Sequence, residues 1–133
     1  MVSAALKALF LLSFFCIAVA EEENRILSLT DATIDKAIKD YPIILIKFYA
    51  PWCGHCRHLA PIYKKAGEIL YGMDPSLVMA EIDATVERES ADAWKIKGYP
   101  TMILFKNGEK VDTYEGARTE EALTKYMISH ADN

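Results

Sequence analysis

Ile43-Ile44-Leu45-Ile46-Lys47-Phe48-Tyr49, followed at once by Ala50-Pro51-Trp52-Cys53-Gly54-His55-Cys56, is the stretch on which the fold turns. An apolar run broken by one charge reads as a central strand buried on both faces. Pro51 leaves that strand and Cys53 opens the next segment. There Leu59, Ile62, Tyr63, Ala66, Ile69 and Leu70 recur at helical spacing, and Pro61 should kink the helix. A strand feeding a helix through Cys-x-x-Cys puts two sulfurs at the helix N-terminus.

The pattern continues on both sides. Ile26-Leu27-Ser28-Leu29 is a short strand. Thr30 or Asp31 can cap a helix running to about Asp40, which Tyr41-Pro42 stops. Leu77 to Asp83 is a second buried strand, Glu87 to about Lys95 a short helix, and Gly98-Tyr99-Pro100 a breaker. Two strand patterns, Thr101 to Phe105 and Lys110 to Tyr114, flank Lys106-Asn107-Gly108-Glu109, and Asn-Gly there is a strong hairpin signal. Thr119 caps a last helix through about Ser129, with Glu120 and Glu121 near its positive end. The order β-α-β-α-β-α-β-β-α predicts an α/β fold: a mixed sheet of about five strands flanked by four helices, parallel first and closing in an antiparallel hairpin.

The chain has 133 residues and a formal charge of −4. That balance argues against a nucleic-acid partner, since nothing here neutralises a row of phosphates. No phosphate-cradling glycine loop is present, and no cofactor is expected. Lys7, the uncharged run Ala8 to Ile17, and Ala18-Val19-Ala20 before Glu21-Glu22-Glu23 read as a secretory signal peptide over residues 1–20, leaving 21–133 as one catalytic domain. An uncleaved signal anchor is the alternative.

Removing that segment discards Cys16 and leaves only Cys53 and Cys56. Such a pair closes too small a loop to stabilise much through chain entropy. In an oxidising compartment it reads as a redox device, with a structural disulfide or half of a zinc site as the alternatives. A zinc site wants four ligands, and no second Cys pair exists, so no metal is expected.

Disulfide exchange needs a thiolate. A thiol of pKa near 8.5 is only about 3% ionised at pH 7. At Cys53 a helix N-terminus favours the anion, and His55 adds a positive charge or a donor. Cys56, one turn on, can attack Cys53 in a mixed disulfide, with Gly54 permitting a tight path between them. Cys53 is therefore the expected nucleophile and Cys56 the resolving cysteine.

Phe48 to Cys56 resembles the active-site stretch of the protein disulfide isomerase family. Leu59-Ala60-Pro61, Asp83-Ala84-Thr85, Gly98-Tyr99-Pro100-Thr101 and Tyr114-Glu115-Gly116-Ala117-Arg118 resemble it in order and spacing. The resemblance covers about Ile26 to Ile128. It implies a thioredoxin fold and an enzyme that oxidises, reduces or isomerises disulfides in unfolded secretory proteins. It implies that Pro100 is cis and, with Tyr99, shapes the substrate-peptide site beside the cysteines. It implies a covering, substrate-touching role for Trp52, for which core packing is the alternative. It implies that Arg118 approaches the resolving cysteine and lowers its pKa, the alternative being a solvated residue.

Lys47 departs from the family, much of which carries a buried carboxylate there to relay the resolving cysteine's proton. Either Lys47 snorkels to water or it assists Cys56, as a charge or as a base. The expected partners are unfolded or disulfide-bonded proteins, with glutathione or an upstream oxidase for recycling. The expected location is the endoplasmic reticulum lumen. The chain ends without a Lys-Asp-Glu-Leu-like signal, so a retention partner, export or a short form of a longer isomerase accounts for its fate. A chaperone or adaptor of the same fold with little redox turnover is the alternative function.

Overall fold

The computed structural model describes residues 23–131; the signal-peptide reading over 1–20 lies outside them. Five strands and four helices alternate along the chain: β1 Ile26–Leu29, α1 Ile34–Asp40, β2 Ile43–Tyr49, α2 Gly54–Met73, β3 Leu77–Asp83, α3 Arg88–Ala93, β4 Thr101–Lys106, β5 Glu109–Thr113 and α4 Glu120–Ala131. The sheet order is β1-β3-β2-β4-β5. β3 pairs parallel with β1 and β2, and β4 pairs antiparallel with β2 and β5. This is the mixed sheet read from the sequence, with β2 at its centre.

Side chains alternate across a strand, so β2 supplies both layers of core. Ile44, Ile46 and Phe48 pack with Ile34, Ile38, Ile82 and Phe105. Ile43 and Leu45 pack on the other face with Leu59, Tyr63, Leu70, Leu123 and Met127, residues of α2 and α4. Lys47 shares the parity of Leu45 and is therefore aimed at α2.

The hairpin has the geometry its residues favour. Asn107 and Gly108 have φ of 53° and 85°, the two positive values of a tight two-residue turn. Helix α2 remains one element through Pro61.

One cap differs from expectation. Asp31 does not cap α1, whose N-cap is Thr33. Asp31 Oδ1 instead accepts from the N–H and hydroxyl of Ser90 at 2.9 and 2.6 Å, in the first turn of α3. The hydrogen bond from Ser90 pulls the Asp31 carboxyl below its ordinary range. A helix N-terminus takes an acceptor from wherever the fold supplies one, and here it comes from nearly 60 residues away in sequence. Trp94 packs edge-on against Phe105 with centroids 4.7 Å apart, a core role.

Candidate active site

Cys53 is the N-cap of α2, with extended backbone, and is half-buried; Cys56, in the first turn, is 4% exposed. The unpaired N–H groups of that turn converge on Cys53. Its thiol is lowered below the ordinary value chiefly by the N–H of Cys56, then by the Cys56 thiol as a donor, the N–H of His55 and the charge of Arg57, against an opposing desolvation. Cys56 is pushed up, first by burial and then by donating to Cys53, while an Ala50 hydrogen bond and the charge of Lys47 pull it back. The two sulfurs are thus unequal: the anion is favoured at the accessible one in front and the thiol at the buried one behind it.

His55 is exposed. What it gives Cys53 is its main-chain N–H, and the positive side chain acting on Cys53 is that of Arg57, which the sequence reading did not single out. His55→Pro removes that N–H together with the imidazole. Cys53 should then titrate higher and the disulfide become more reducing, by up to about 30 mV, a tenfold change in the equilibrium. Titration in glutathione buffers checks this, with His55→Ala, which keeps the N–H, as the separating control. An unchanged potential in His55→Pro removes residue 55 from the mechanism.

Gly54 does not serve the purpose expected of it. A Cβ there would meet nothing within 4 Å, and the residue lies in an ordinary first helical turn that any residue can adopt. The steric need for glycine is absent.

Tyr99 and Pro100 lie where the resemblance placed them. The Tyr99–Pro100 bond is cis, and the Cys53 thiol reaches the Tyr99 carbonyl at 3.7 Å. Trp52 is 67% exposed and meets the Tyr99 ring edge-on at 5.9 Å, so it is no core residue. The two rings form an apolar ledge beside Cys53. Arg118 is exposed and borders a cleft of about 340 Å³ with Pro100, Thr101, Tyr114 and Glu115. The cation whose charge favours the Cys56 thiolate is Lys47.

Lys47 does not snorkel. Its side chain is 3% exposed and its Nζ lies 3.3 Å from Glu81 Oε2, on the β3 residue directly paired with it. The ammonium stands 4.5 Å above the ring of Tyr63. That ring is fully buried, with its hydroxyl donating to the Leu45 and Ala80 carbonyls at 3.0 and 2.8 Å. Lys47, Glu81 and Tyr63 form a polar cluster between the sheet and α2. Sequence reasoning left out Glu81 and Tyr63. The available signal was an acid inside one buried strand and a lone base in its neighbour.

Comparison with known proteins agrees with this geometry. The thioredoxin family matches residues 25–129. Protein disulfide-isomerase A4 of Bos taurus is 46% identical over 103 residues, covering 77% of this chain and 16% of that protein. Protein disulfide-isomerase of Hordeum vulgare is 42% identical over 105 residues, covering 77% of this chain and 20% of that protein. The solution structure of the first thioredoxin domain of mouse protein disulfide-isomerase A4 superposes with a TM-score of 0.72 at 37% identity, covering 86% of this chain and 81% of that one. The chain spans a fifth or less of the length of these two curated relatives. By its fold, by its cysteine pair at the helix N-terminus and by these matches, it belongs to the thioredoxin family, with protein disulfide-isomerases among its relatives.

Proposed function

We propose that this chain is a thiol–disulfide oxidoreductase that forms, reduces or rearranges disulfides in proteins of the secretory pathway. The observation that carries the reading is the pair itself: a half-exposed, anion-favoured Cys53 at the N-cap, backed by a buried, protonated Cys56. In reduction, the Cys53 thiolate attacks a substrate disulfide. One substrate S–S bond breaks, a Cys53–substrate S–S bond forms, and the released substrate sulfur takes a proton from solvent. Cys56 then loses its proton and attacks Cys53 Sγ, closing the Cys53–Cys56 disulfide and freeing the second substrate thiolate. Oxidation runs the same steps backward, and isomerisation leaves the second step to a substrate thiol.

Trp52, Tyr99 and Pro100 present the peptide to Cys53 in this reading. Glutathione or an upstream oxidase resets the couple. Residues 1–20 direct the chain to the endoplasmic reticulum lumen in this reading; the relatives named protein disulfide-isomerase support the disulfide chemistry.

Insulin reduction with glutathione as the electron source tests the activity. Turnover by the native chain and none by Cys53→Ser is the expected result. No turnover by the native chain, with retained binding of unfolded protein, would instead make it a chaperone or adaptor.

A further inference from the structure

The cleft of about 340 Å³ has Pro100 and Thr101 on one side and Tyr114, Glu115, Gly116 and Arg118, from the loop between β5 and α4, on the other. Its volume falls within the range of small-molecule sites, roughly 300–1,000 Å³. It opens beside the nucleophile: Cys53 Sγ lies 3.7 Å from the carbonyl of Tyr99, the residue before Pro100.

Both walls are held in place. The Thr101 hydroxyl donates to the Gly98 carbonyl at 2.7 Å, and the Tyr114 N–H donates to the Met102 carbonyl at 2.9 Å. The Tyr114 hydroxyl donates to the Ala117 carbonyl, one residue before Arg118. The loop sits so close on that ring that a Cβ at Gly116 would stand 2.7 Å from the Tyr114 oxygen. A ligand therefore meets a preformed cleft and loses little in ordering it.

Glu115 and Arg118 are exposed, and neither side chain has an ion-pair or hydrogen-bond partner among the described residues. Two unpaired opposite charges thus border one small cleft. A phosphate or a dicarboxylate would suit Arg118 and be repelled by Glu115. The interior of a polypeptide offers no ammonium and carboxylate side by side. The head group of a free amino acid carries both on one carbon and satisfies both walls.

We infer that the cleft is the subsite for a low-molecular-weight disulfide bearing an amino-acid head group, with Glu115 taking the ammonium and Arg118 the carboxylate. This rests on the oxidoreductase reading above and deepens it, because it says how the small oxidant is held. Glutathione disulfide and cystine both carry that head group. With the head group docked, the Cys53 thiolate attacks the ligand disulfide: the ligand S–S bond breaks and a Cys53–ligand S–S bond forms. Cys56 then attacks Cys53 Sγ, breaking that bond and closing Cys53–Cys56. The dithiol loses two electrons and the ligand gains them as two thiols. The protons of the two cysteines end on those thiols by way of solvent.

The experiment measures oxidation of the reduced full chain at pH 7, by acid quench and gel-shift alkylation. The oxidants are glutathione disulfide, its N-acetylated form, cystine, and bis(2-hydroxyethyl) disulfide, which has no head group. Each rate is divided by that with the last, so that a change at Cys53 itself cancels. In Glu115→Gln the ratio for glutathione disulfide or for cystine should fall about fivefold, the upper range for an exposed ion pair; which of the two falls identifies the ligand. Arg118→Gln should lower the same ratio by a similar factor. N-acetylation removes the ammonium, so it should lower the native ratio about fivefold and add nothing further in Glu115→Gln. Long-range attraction alone predicts the opposite sign, since Glu115→Gln makes the cleft more positive and would speed an anionic disulfide. An unchanged or raised ratio for both glutathione disulfide and cystine in Glu115→Gln overturns the inference. So does an N-acetylated form that is slowed as much by Glu115→Gln as the free form. Failure of every disulfide to oxidise the native chain would overturn the oxidoreductase reading itself.

Discussion

Cys56→Ser should leave the first attack intact and trap the substrate as a stable mixed disulfide on Cys53. Turnover should fall by at least about a hundredfold, because attack by a thiol held one helical turn away is replaced by encounter with a dilute external thiol. The trapped species is visible on a non-reducing gel and disappears on adding reductant. The main-chain N–H of residue 56, which does most to lower Cys53, remains, and the serine hydroxyl can donate where the thiol did, so the trapping thiol should stay lowered. Native turnover in Cys56→Ser would mean that the second cysteine takes no part.

Lys47→Met should slow resolution by up to about tenfold, because it removes a charge that favours the Cys56 thiolate. The first attack by Cys53 should change little, since Lys47 is not among the groups acting on it. The substitution has a second consequence. It leaves Glu81 beside an apolar side chain, and breaking a pair this buried should lower stability by about 2 kcal/mol, less than for a fully enclosed pair because Glu81 reaches solvent. That cost should appear in urea unfolding above neutral pH. Equal mixed-disulfide lifetimes in Lys47→Met and native protein would remove Lys47 from the chemistry.

The parts of this molecule governed by local rules were legible in the sequence. The run Ile43 to Tyr49 announced a central strand because burial on both faces leaves little room for polar residues. Asn107-Gly108 announced its hairpin because a tight turn needs positive φ at both positions. Cys53 and Cys56 were legible as a pair because strand, turn and helix start adjoin in sequence.

What escaped depended on residues brought together by the fold. Lys47 meets Glu81 only because β2 and β3 pair in parallel with that register, across a 20-residue helix. From the sequence, Lys47 had no partner, and its burial could not be read. Asp31 looked like a cap for the helix after it but serves one more than fifty residues on. Gly54 was given a steric reason that an ordinary helical turn does not require. Trp52 stood undecided between core and surface until the turn after β2 turned it outward.

The account rests on unequal cysteines, and iodoacetamide alkylation of the reduced chain against pH, with each site followed by mass spectrometry, tests this most directly. Cys53 should react first, with an inflection below that of an ordinary thiol, while Cys56 stays protected until well above it. Prior reaction at Cys56, or two sites titrating together as ordinary thiols, would contradict the assignment of nucleophile and resolving cysteine.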